Sequence, residues 1–259
     1  MATAAGCARH EEAPDLTHAL RFSSITARKV YTLEDTAREF NRDADVTFTD
    51  SASVILPDVL FGLDVAPLRD RILDVAFDTV CPDPCVAIDA AFANTANSMG
   101  YNAVETSANP HDDGIDGFSY VRADIYSLTS ERLTYSVSKD TYYPGAAHGM
   151  QNRSFITFDL TAGDIITLDE IFTPAGLEEL PSIISRRARR LASQLGQTNI
   201  TSLPEGGDFY VSLEDEIVFV YQPYEVASYA QGMIYVPFYP YELSEYLTPR
   251  GLKFFGLND

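Results

Sequence analysis

The segment at residues 142–172 constrains the fold of this chain most. Within it, residues 155–159 and 165–168 are rich in aromatic and β-branched side chains, a composition typical of strands. The residues between them include Thr161-Ala-Gly-Asp164, a short turn in which Gly163 can adopt a positive φ. Because so short a connection joins antiparallel neighbours, the segment predicts a β-hairpin.

A long amphipathic helix and alternating strands are predicted after this hairpin. From about residue 174 to 197, apolar side chains recur at the 3.6-residue period of a helix and form one stripe: Leu177, Leu180, Ile184, Ala188, Leu191 and Leu195. Apolar residues then alternate along two strands, at Phe209, Val211 and Leu213 and at Ile217, Phe219 and Tyr221. A further strand at 233–238 and a short helix at 241–247 complete the second half.

The first half has a similar organisation. It contains strand-like runs at residues 20–31, 45–56, 118–126 and 132–141, and helical segments at about 67–81 and 86–99. Strands in groups with a few separate helices indicate an α+β fold, built from antiparallel sheets and packed helices. We expect two sub-domains: an N-terminal α+β domain at residues 19–141 and a C-terminal α+β domain at residues 142–259.

The net charge of −20, from 38 acidic and 18 basic residues, restricts the partners of the chain. A nucleic acid needs clustered lysine and arginine to meet its phosphates, so we expect no nucleic-acid partner. An acidic surface attracts cationic proteins, although acidity also serves solubility alone. No run of about 18 apolar residues occurs, so we expect attachment to a membrane only through a lipid anchor.

The first seven residues, Met-Ala-Thr-Ala-Ala-Gly-Cys7, resemble the end of a bacterial lipoprotein signal. In such signals, small residues precede the cysteine that is lipidated, and the polar residues 8–15 then resemble a tether. The alternative is a chance match in an alanine-rich leader. We expect residues 1–18 to be a leader and tether, Cys7 to be lipidated, and the protein to be a periplasmic or cell-surface lipoprotein of the bacterial envelope.

The other two cysteines, Cys81 and Cys85, are separated by Pro-Asp-Pro, which interrupts a helix and favours a tight turn. In an oxidising compartment this spacing predicts a local disulfide. A metal site would need further ligands that the neighbouring sequence lacks, and redox pairs have a different spacing. We expect neither a metal nor a cofactor.

Four segments of the second half carry a family resemblance: Tyr143-Pro-Gly-Ala-Ala-His148, Phe158 to Gly163 with Ile166 to Phe172, Tyr221 to Gly232, and Val236 to Leu243. In this order they resemble the domain of unknown function that forms the C-terminal part of the lysozyme-sensing anti-sigma factor RsiV. The same domain recurs in the peptidoglycan deacetylase PdaC, outside its catalytic domain. Residues 45–126 more faintly resemble the domain that usually precedes it. Ala146 departs from the family, which has a glycine there.

The resemblance implies an outward-facing bacterial envelope protein with a two-part α+β fold. Family members that bind lysozyme do so with this region. Members with deacetylase activity carry that activity in a separate domain, whose Asp and His-x-x-x-His metal ligands have no match in this chain.

His148 and three tyrosines are the candidate ligand contacts. A histidine beside a small-residue turn can anchor the next strand through hydrogen bonds, contact a partner, or take part in catalysis or metal binding. Tyr143, Tyr224 and Tyr229 belong to tyrosine-containing segments, which suit protein and sugar recognition as well as ordinary strand packing.

Two charged segments favour simple solvation. The loop His111-Asp-Asp-Gly-Ile-Asp116 gathers carboxylates but lacks the ligand order of a calcium loop. The tract Arg186-Arg-Ala-Arg-Arg190 is basic, and most of its arginines lie opposite the apolar stripe of the predicted helix. We expect a solvated face balanced by nearby acids.

These observations predict a non-enzymatic envelope lipoprotein that binds an envelope-associated protein or glycan, with a cationic lysozyme-like muramidase as the leading partner. We assign no catalytic residue in this interpretation. One alternative is a peptidoglycan hydrolase that uses His148 with a carboxylate such as Asp159 or Glu225 as an acid–base pair. Another is a scaffold in a surface complex.

Overall fold

The computed structural model describes residues 19–33, 39, 45–79, 81–98, 103–106 and 116–257. The larger sheet contains β1 (Leu20–Leu33), β2 (Val46–Leu60), β3 (Ala103–Thr106), β4 (Gly117–Leu128), β5 (Arg132–Tyr142), β6 (Met150–Asp159) and β7 (Asp164–Ile166). The smaller sheet contains β8 (Phe209–Val211), β9 (Ile217–Tyr221) and β10 (Ile234–Phe238). The helices are α1 (Ala66–Phe77), α2 (Pro84–Ser98), α3 (Leu168–Ile171), α4 (Pro174–Arg190), α5 (Ala192–Leu195) and α6 (Pro249–Phe254).

This arrangement confirms the α+β class, but the larger sheet is mixed. Its strand order is β3-β1-β2-β4-β5-β6-β7, and β2 and β4 are parallel, so the prediction of antiparallel sheets is wrong for that pair. The reason is the connection between them. It passes through α1, α2 and β3, which allows β4 to begin at the same end of the sheet as β2.

Strand β2 continues through Pro57, beyond the end of the strand-like run predicted at residues 45–56. Pro57 lies opposite Phe22, and the register between β1 and β2 shifts beside this pair, between Arg21 and Phe22. An irregularity of this kind tolerates a residue that has no backbone N–H. The strand therefore extends to Leu60.

The described residues form two large hydrophobic cores and two smaller clusters. The first packs α1 and α2 against the larger sheet and ends at Leu160, and the second begins at Ile166 and packs α4 against the smaller sheet. The boundary expected between residues 141 and 142 falls inside the β5–β6 hairpin, which is paired from Arg132–Asp159 to Thr141–Met150. The larger sheet thus continues to Ile166, the first residue of the second core.

Helix α4 follows the predicted apolar stripe. Thr173 caps it, with Oγ1 accepting a hydrogen bond from the Gly176 N–H at 3.0 Å, and Leu180, Ile184 and Ala188 are buried. The helix ends at Arg190 rather than near residue 197, and the short helix α5 follows. The predicted helix at 241–247 is a 3₁₀ turn at Pro240–Tyr246, and the turn glycine Gly163 has the expected positive φ of 80°.

The smaller sheet has a proline in its edge strand β10. Pro237 lies opposite Val218 of β9. Val220, two residues along β9, donates its backbone N–H to the carbonyl oxygen of Asp208, on the β8 side. Residues two positions apart in a strand direct their backbone groups to the same side, so the N–H and C=O of Val218 also face β8. The nitrogen of Pro237 therefore faces the free edge of β10, where no strand needs its missing N–H.

Candidate functional site

Three of the four candidate ligand contacts come together where two loops meet. His148 lies in the loop that precedes β6, and Tyr224 and Tyr229 lie in the segment that follows β9. The His148 ring stacks on the Tyr229 ring, with centroids 3.9 Å apart and an interplanar angle of 18°. The Tyr224 ring is 5.5 Å from the Tyr229 ring, at 29°. These three side chains form the aromatic cluster.

Hydrogen bonds fix the orientation of the rings in the aromatic cluster. His148 Nδ1 lies 2.8 Å from Gly149 O and donates to it, because a carbonyl oxygen only accepts. Nε2 forms a second hydrogen bond, with Tyr224 Oη, at 3.1 Å. Tyr229 Oη donates to the same Gly149 O at 2.7 Å. The aromatic cluster is therefore a fixed aromatic surface with polar edges.

Tyr224 has a backbone conformation that tyrosine rarely adopts. Its φ is +70°, in the left-handed region, and such a conformation costs a non-glycine residue about 1–3 kcal/mol. Glu225 stabilises the turn, because its carboxylate accepts the N–H groups of Gln222 and Glu205, both at 2.7 Å. The side chain of Tyr224 is 56% exposed. The strained turn thus presents an aromatic ring to the solvent.

A cleft of about 680 Å³ opens beside the aromatic cluster and includes Tyr224 in its lining. Residues from α1, β5 and β6 line it on one side, and residues from the C-terminal part line it on the other: Glu205, Gly206, Asp208, Gln222, Pro223, Tyr224 and Glu225. Two ion pairs lie in this lining, Arg71 with Asp74 at 2.8 Å and Lys139 with Asp78 at 3.0 Å. The cleft therefore lies between the larger sheet with α1 and the segments that flank β8 and β9.

Asp208 and Gln222 connect the two sheets in the lining of the cleft. Asp208 Oδ2 accepts from Ser154 Oγ at 2.9 Å and from Gln222 Nε2 at 3.1 Å. Gln222 also pairs with the backbone of Arg153, accepting its N–H at 3.0 Å and donating to its carbonyl at 2.9 Å. Burial raises the pKa of Asp208 to about 6, although these hydrogen bonds favour the ionised form.

An Asp208→Asn variant is expected to alter the pH dependence of stability. Because the pKa of Asp208 is raised in the folded state, its protonated side chain contributes to the stability of the protein. This contribution is fully present below pH 3.8, the ordinary pKa, and is lost as the pH rises through about 6. Asparagine does not ionise. The difference in unfolding free energy between the variant and wild type should therefore grow in favour of the variant by about 1–3 kcal/mol as the pH rises from 4 to 7. One pKa unit corresponds to about 1.4 kcal/mol.

Urea unfolding of both proteins at pH 4, 5, 6 and 7 measures this difference. Glu214→Gln removes the same charge from an exposed turn and serves as the matched control. A difference between wild type and Asp208→Asn that stays constant over this pH range would contradict the prediction.

The other sequence candidates lie outside the aromatic cluster. Tyr143 is 49% exposed and stacks on Phe48, with ring centroids 5.9 Å apart. Asp159 accepts two backbone N–H groups of the turn that follows β6. Among the described residues, neither Asp159 nor Glu225 hydrogen bonds with His148, so the acid–base pair of the hydrolase alternative is not formed in the structure.

Cys81 and Cys85 are free thiols, so the structure does not contain the predicted disulfide. Asp83, which lies between the two cysteines, caps the start of α2 instead. Its Oδ1 accepts from the N–H groups of Cys85 at 2.9 Å and Val86 at 3.3 Å, and its carbonyl oxygen lies 3.5 Å from Cys81 Sγ. The segment between the cysteines is therefore a helix cap, which places Cys85 in the first turn of α2.

Three further predictions concern the part of the chain outside the described residues. Cys7, the leader and tether at residues 1–18, and residues 111–115 of the carboxylate-rich loop all lie there. Within the described ranges, no group of three or more His, Cys, Asp and Glu side chains is placed to hold a metal ion. Within the same described ranges, the helices are too short or too polar to cross a membrane.

The sequence named the three residues of the aromatic cluster as candidates without predicting that they lie together, and it missed the polar residues of the cleft. Ser154 and Asp208 are 54 positions apart, and no local motif connects them. Gln222 had a usable signal, because it lies between Tyr221 and Tyr224 in a segment that carries the family resemblance. The polar part of the site was therefore missed because its hydrogen bonds join residues that are far apart in the sequence.

Residues 169–242 match the family model described as a protein of unknown function, DUF3298. A member of the DUF3298 family from Bacteroides fragilis has a similar structure, with a TM-score of 0.65 and 17% identity, over 92% of this chain and 97% of that chain. A DUF3298 family protein from Pseudomonas aeruginosa gives 0.58 and 17%, over 90% and 97%. No curated protein matches the chain. At this identity the similarity establishes the fold alone.

Proposed function

We propose that this protein is a non-enzymatic binding protein of the bacterial cell envelope. In this proposal, the aromatic cluster and the adjoining cleft hold an envelope-associated protein or glycan. The main support is Tyr224, whose exposed ring is held by a strained backbone at the edge of a concave surface. An aromatic surface with polar edges offers apolar area and hydrogen-bonding groups together, which suits recognition of either kind of partner.

Binding is favoured over catalysis by the surroundings of His148. Its two ring nitrogens contact Gly149 O and Tyr224 Oη, so both are engaged in positioning the rings. A general base would need to reach a nucleophile or a substrate proton. The hydrogen bonds of His148 instead resemble those of a structural anchor within a contact surface.

A cationic lysozyme-like muramidase is the leading partner in this proposal. The support is the resemblance of the second half to the domain that RsiV and PdaC share, together with the net charge of −20. Opposite net charges raise the rate of association more than they raise the final affinity. Attachment to the envelope would use Cys7, whose sequence context resembles a lipoprotein signal.

Titration of the purified protein with lysozyme by calorimetry tests this proposal. We expect binding at low ionic strength and weaker binding at higher salt, because exposed charges are screened over about 10 Å at 0.1 M salt. If neither condition gave detectable heat of binding, lysozyme would be excluded as the partner.

The same titration locates the contact surface. Tyr229→Ala should weaken binding about tenfold, since buried tyrosines at interfaces commonly contribute more than 1 kcal/mol. Tyr241→Ala is the matched control, because Tyr241 is 65% exposed and stacks on Tyr239 outside the aromatic cluster. Equal losses in the two variants would place the contact elsewhere.

A further inference from the structure

The C-terminal half of α4 carries three exposed arginines that form the arginine strip: Arg186, Arg189 and Arg190. Among the described residues, no carboxylate forms an ion pair with any of them. The neighbouring Arg187 differs, because it pairs with Glu242 and lies over the Phe238 ring at 4.7 Å. Direct ion pairing within the tract is therefore seen at Arg187, while Arg186 acts electrostatically on Tyr246 together with Glu179 and Glu245. In a chain with 38 acidic and 18 basic residues, the lack of a direct ion pair at three neighbouring arginines calls for an explanation.

Helix stability explains the arginine strip only in part. Cations in the last turn interact favourably with the helix dipole, and Arg189 and Arg190 lie in that turn. Arg186 precedes it. Like charges three and four positions apart repel each other on a helix surface, and this applies to Arg186 with Arg189 and to Arg186 with Arg190. A bound anion would remove this repulsion.

Two grooves flank the arginine strip, and Arg186 borders both. The larger has a volume of about 490 Å³ and is lined by Pro181, Ser182, Ser185, Arg186, Arg189, Ile200 and Thr201. The smaller has a volume of about 200 Å³ and is lined by Ile183, Arg186, Arg187, Arg190, Phe238 and Glu242. The larger groove combines guanidinium groups with hydroxyl groups and has no carboxylate in its lining.

We propose that the arginine strip and the larger groove bind the phosphate groups of a thin, flexible phosphate polymer, linear polyphosphate. Guanidinium groups donate paired hydrogen bonds to phosphate oxygens, and hydroxyl groups such as those of Ser185 and Thr201 add further donors. The arginines follow the helix over more than one turn, so successive phosphates of one chain can be contacted together. This surface is separate from the aromatic cluster and does not depend on the function proposed for it.

A thin polymer fits this surface better than a lipid bilayer does. The apolar residues of α4, such as Leu180, Ile184 and Ala188, are buried in the second core, so the helix has no apolar face to insert into a membrane. A flat anionic membrane would also face the acidic remainder of the protein, whose net charge is −20. A narrow chain can contact the arginine strip and avoid those acids.

Binding of linear inorganic polyphosphate to the full chain, measured by calorimetry at low salt, tests the proposal. Wild type should bind, and Arg186→Gln with Arg189→Gln should weaken binding by about tenfold or more, because two charge-assisted contacts are lost. Arg186→Lys with Arg189→Lys keeps the charge but loses the paired donors, so an intermediate loss is expected. Arg21→Gln with Arg28→Gln is the control for net charge and should bind as wild type does.

Several results would overturn the proposal. One is the absence of polyphosphate binding by wild type, and another is an equal loss in the Arg21 and Arg28 control. A third is binding only to vesicles of phosphatidylcholine and phosphatidylglycerol, with none to polyphosphate. Circular dichroism of each variant confirms that the exposed substitutions leave the fold intact, so that a loss of binding reports on the arginine strip.

Discussion

Replacing Phe219 with alanine is expected to destabilise the protein by about 3–5 kcal/mol, the range for deleting a buried aromatic ring. Phe219 is fully buried in the second core. Its ring contacts that of Phe238 edge-on at 5.9 Å and lies 6.2 Å from that of Phe172. The substitution removes this packing and leaves a cavity between β9 and its neighbours.

Urea unfolding at one pH measures the loss, and Phe118→Ala is the matched control. Phe118 is 43% exposed on β4, so its removal should cost less than about 1 kcal/mol. Similar losses at both positions would contradict the division between core and surface. The result also concerns the site, because β9 ends at Tyr221, directly before the turn that carries Tyr224.

Tyr224→Gly is expected to reduce affinity for the proposed partner by about 2–4 kcal/mol, the range of tyrosine hot spots in protein interfaces. The reason is the loss of the exposed ring and of its hydrogen bond to His148 Nε2. Tyr224→Ala should lose affinity to a similar extent. The two variants should differ in stability, because alanine retains the strained φ of +70° and glycine adopts it without steric cost.

We therefore expect Tyr224→Gly to unfold with a free energy about 1 kcal/mol higher than that of Tyr224→Ala. Thermal and urea unfolding give this difference, and calorimetric titration gives the affinities. Full affinity in either variant would show that the ring is not a contact. Equal stability of the two variants would show that the backbone at this position is not strained.

Elements with a strong local pattern were predicted from the sequence. Strand β9 forms where predicted and buries Ile217, Phe219 and Tyr221, although the residues between them are buried as well. Helix α4 buries Leu180 and Ile184 from the predicted stripe. Elements that depend on distant partners were missed. Strand β3 has four residues and pairs with β1, and α6 packs beside α3, so neither has a periodic pattern of its own.

The same distinction applies to the candidate site. His148, Tyr224 and Tyr229 were identified because each lies in a segment with a recognisable composition, and the fold brings them together. Tyr143 has the same composition around it but stacks on Phe48 instead. Asp208 follows two glycines and shows no pattern. Its role depends on Ser154, which only the β6–β8 packing brings near it.

Pro237 limits how this protein can assemble. An edge strand normally offers a row of donors and acceptors to which another chain can add its own strand. In β10 the nitrogen that faces outward at Pro237 has no hydrogen to offer. A second copy that docked there would leave one of its carbonyl oxygens without a donor, at a cost of about 1–3 kcal/mol if water were excluded. The fold thereby discourages fibrils that would grow by strand addition at this edge.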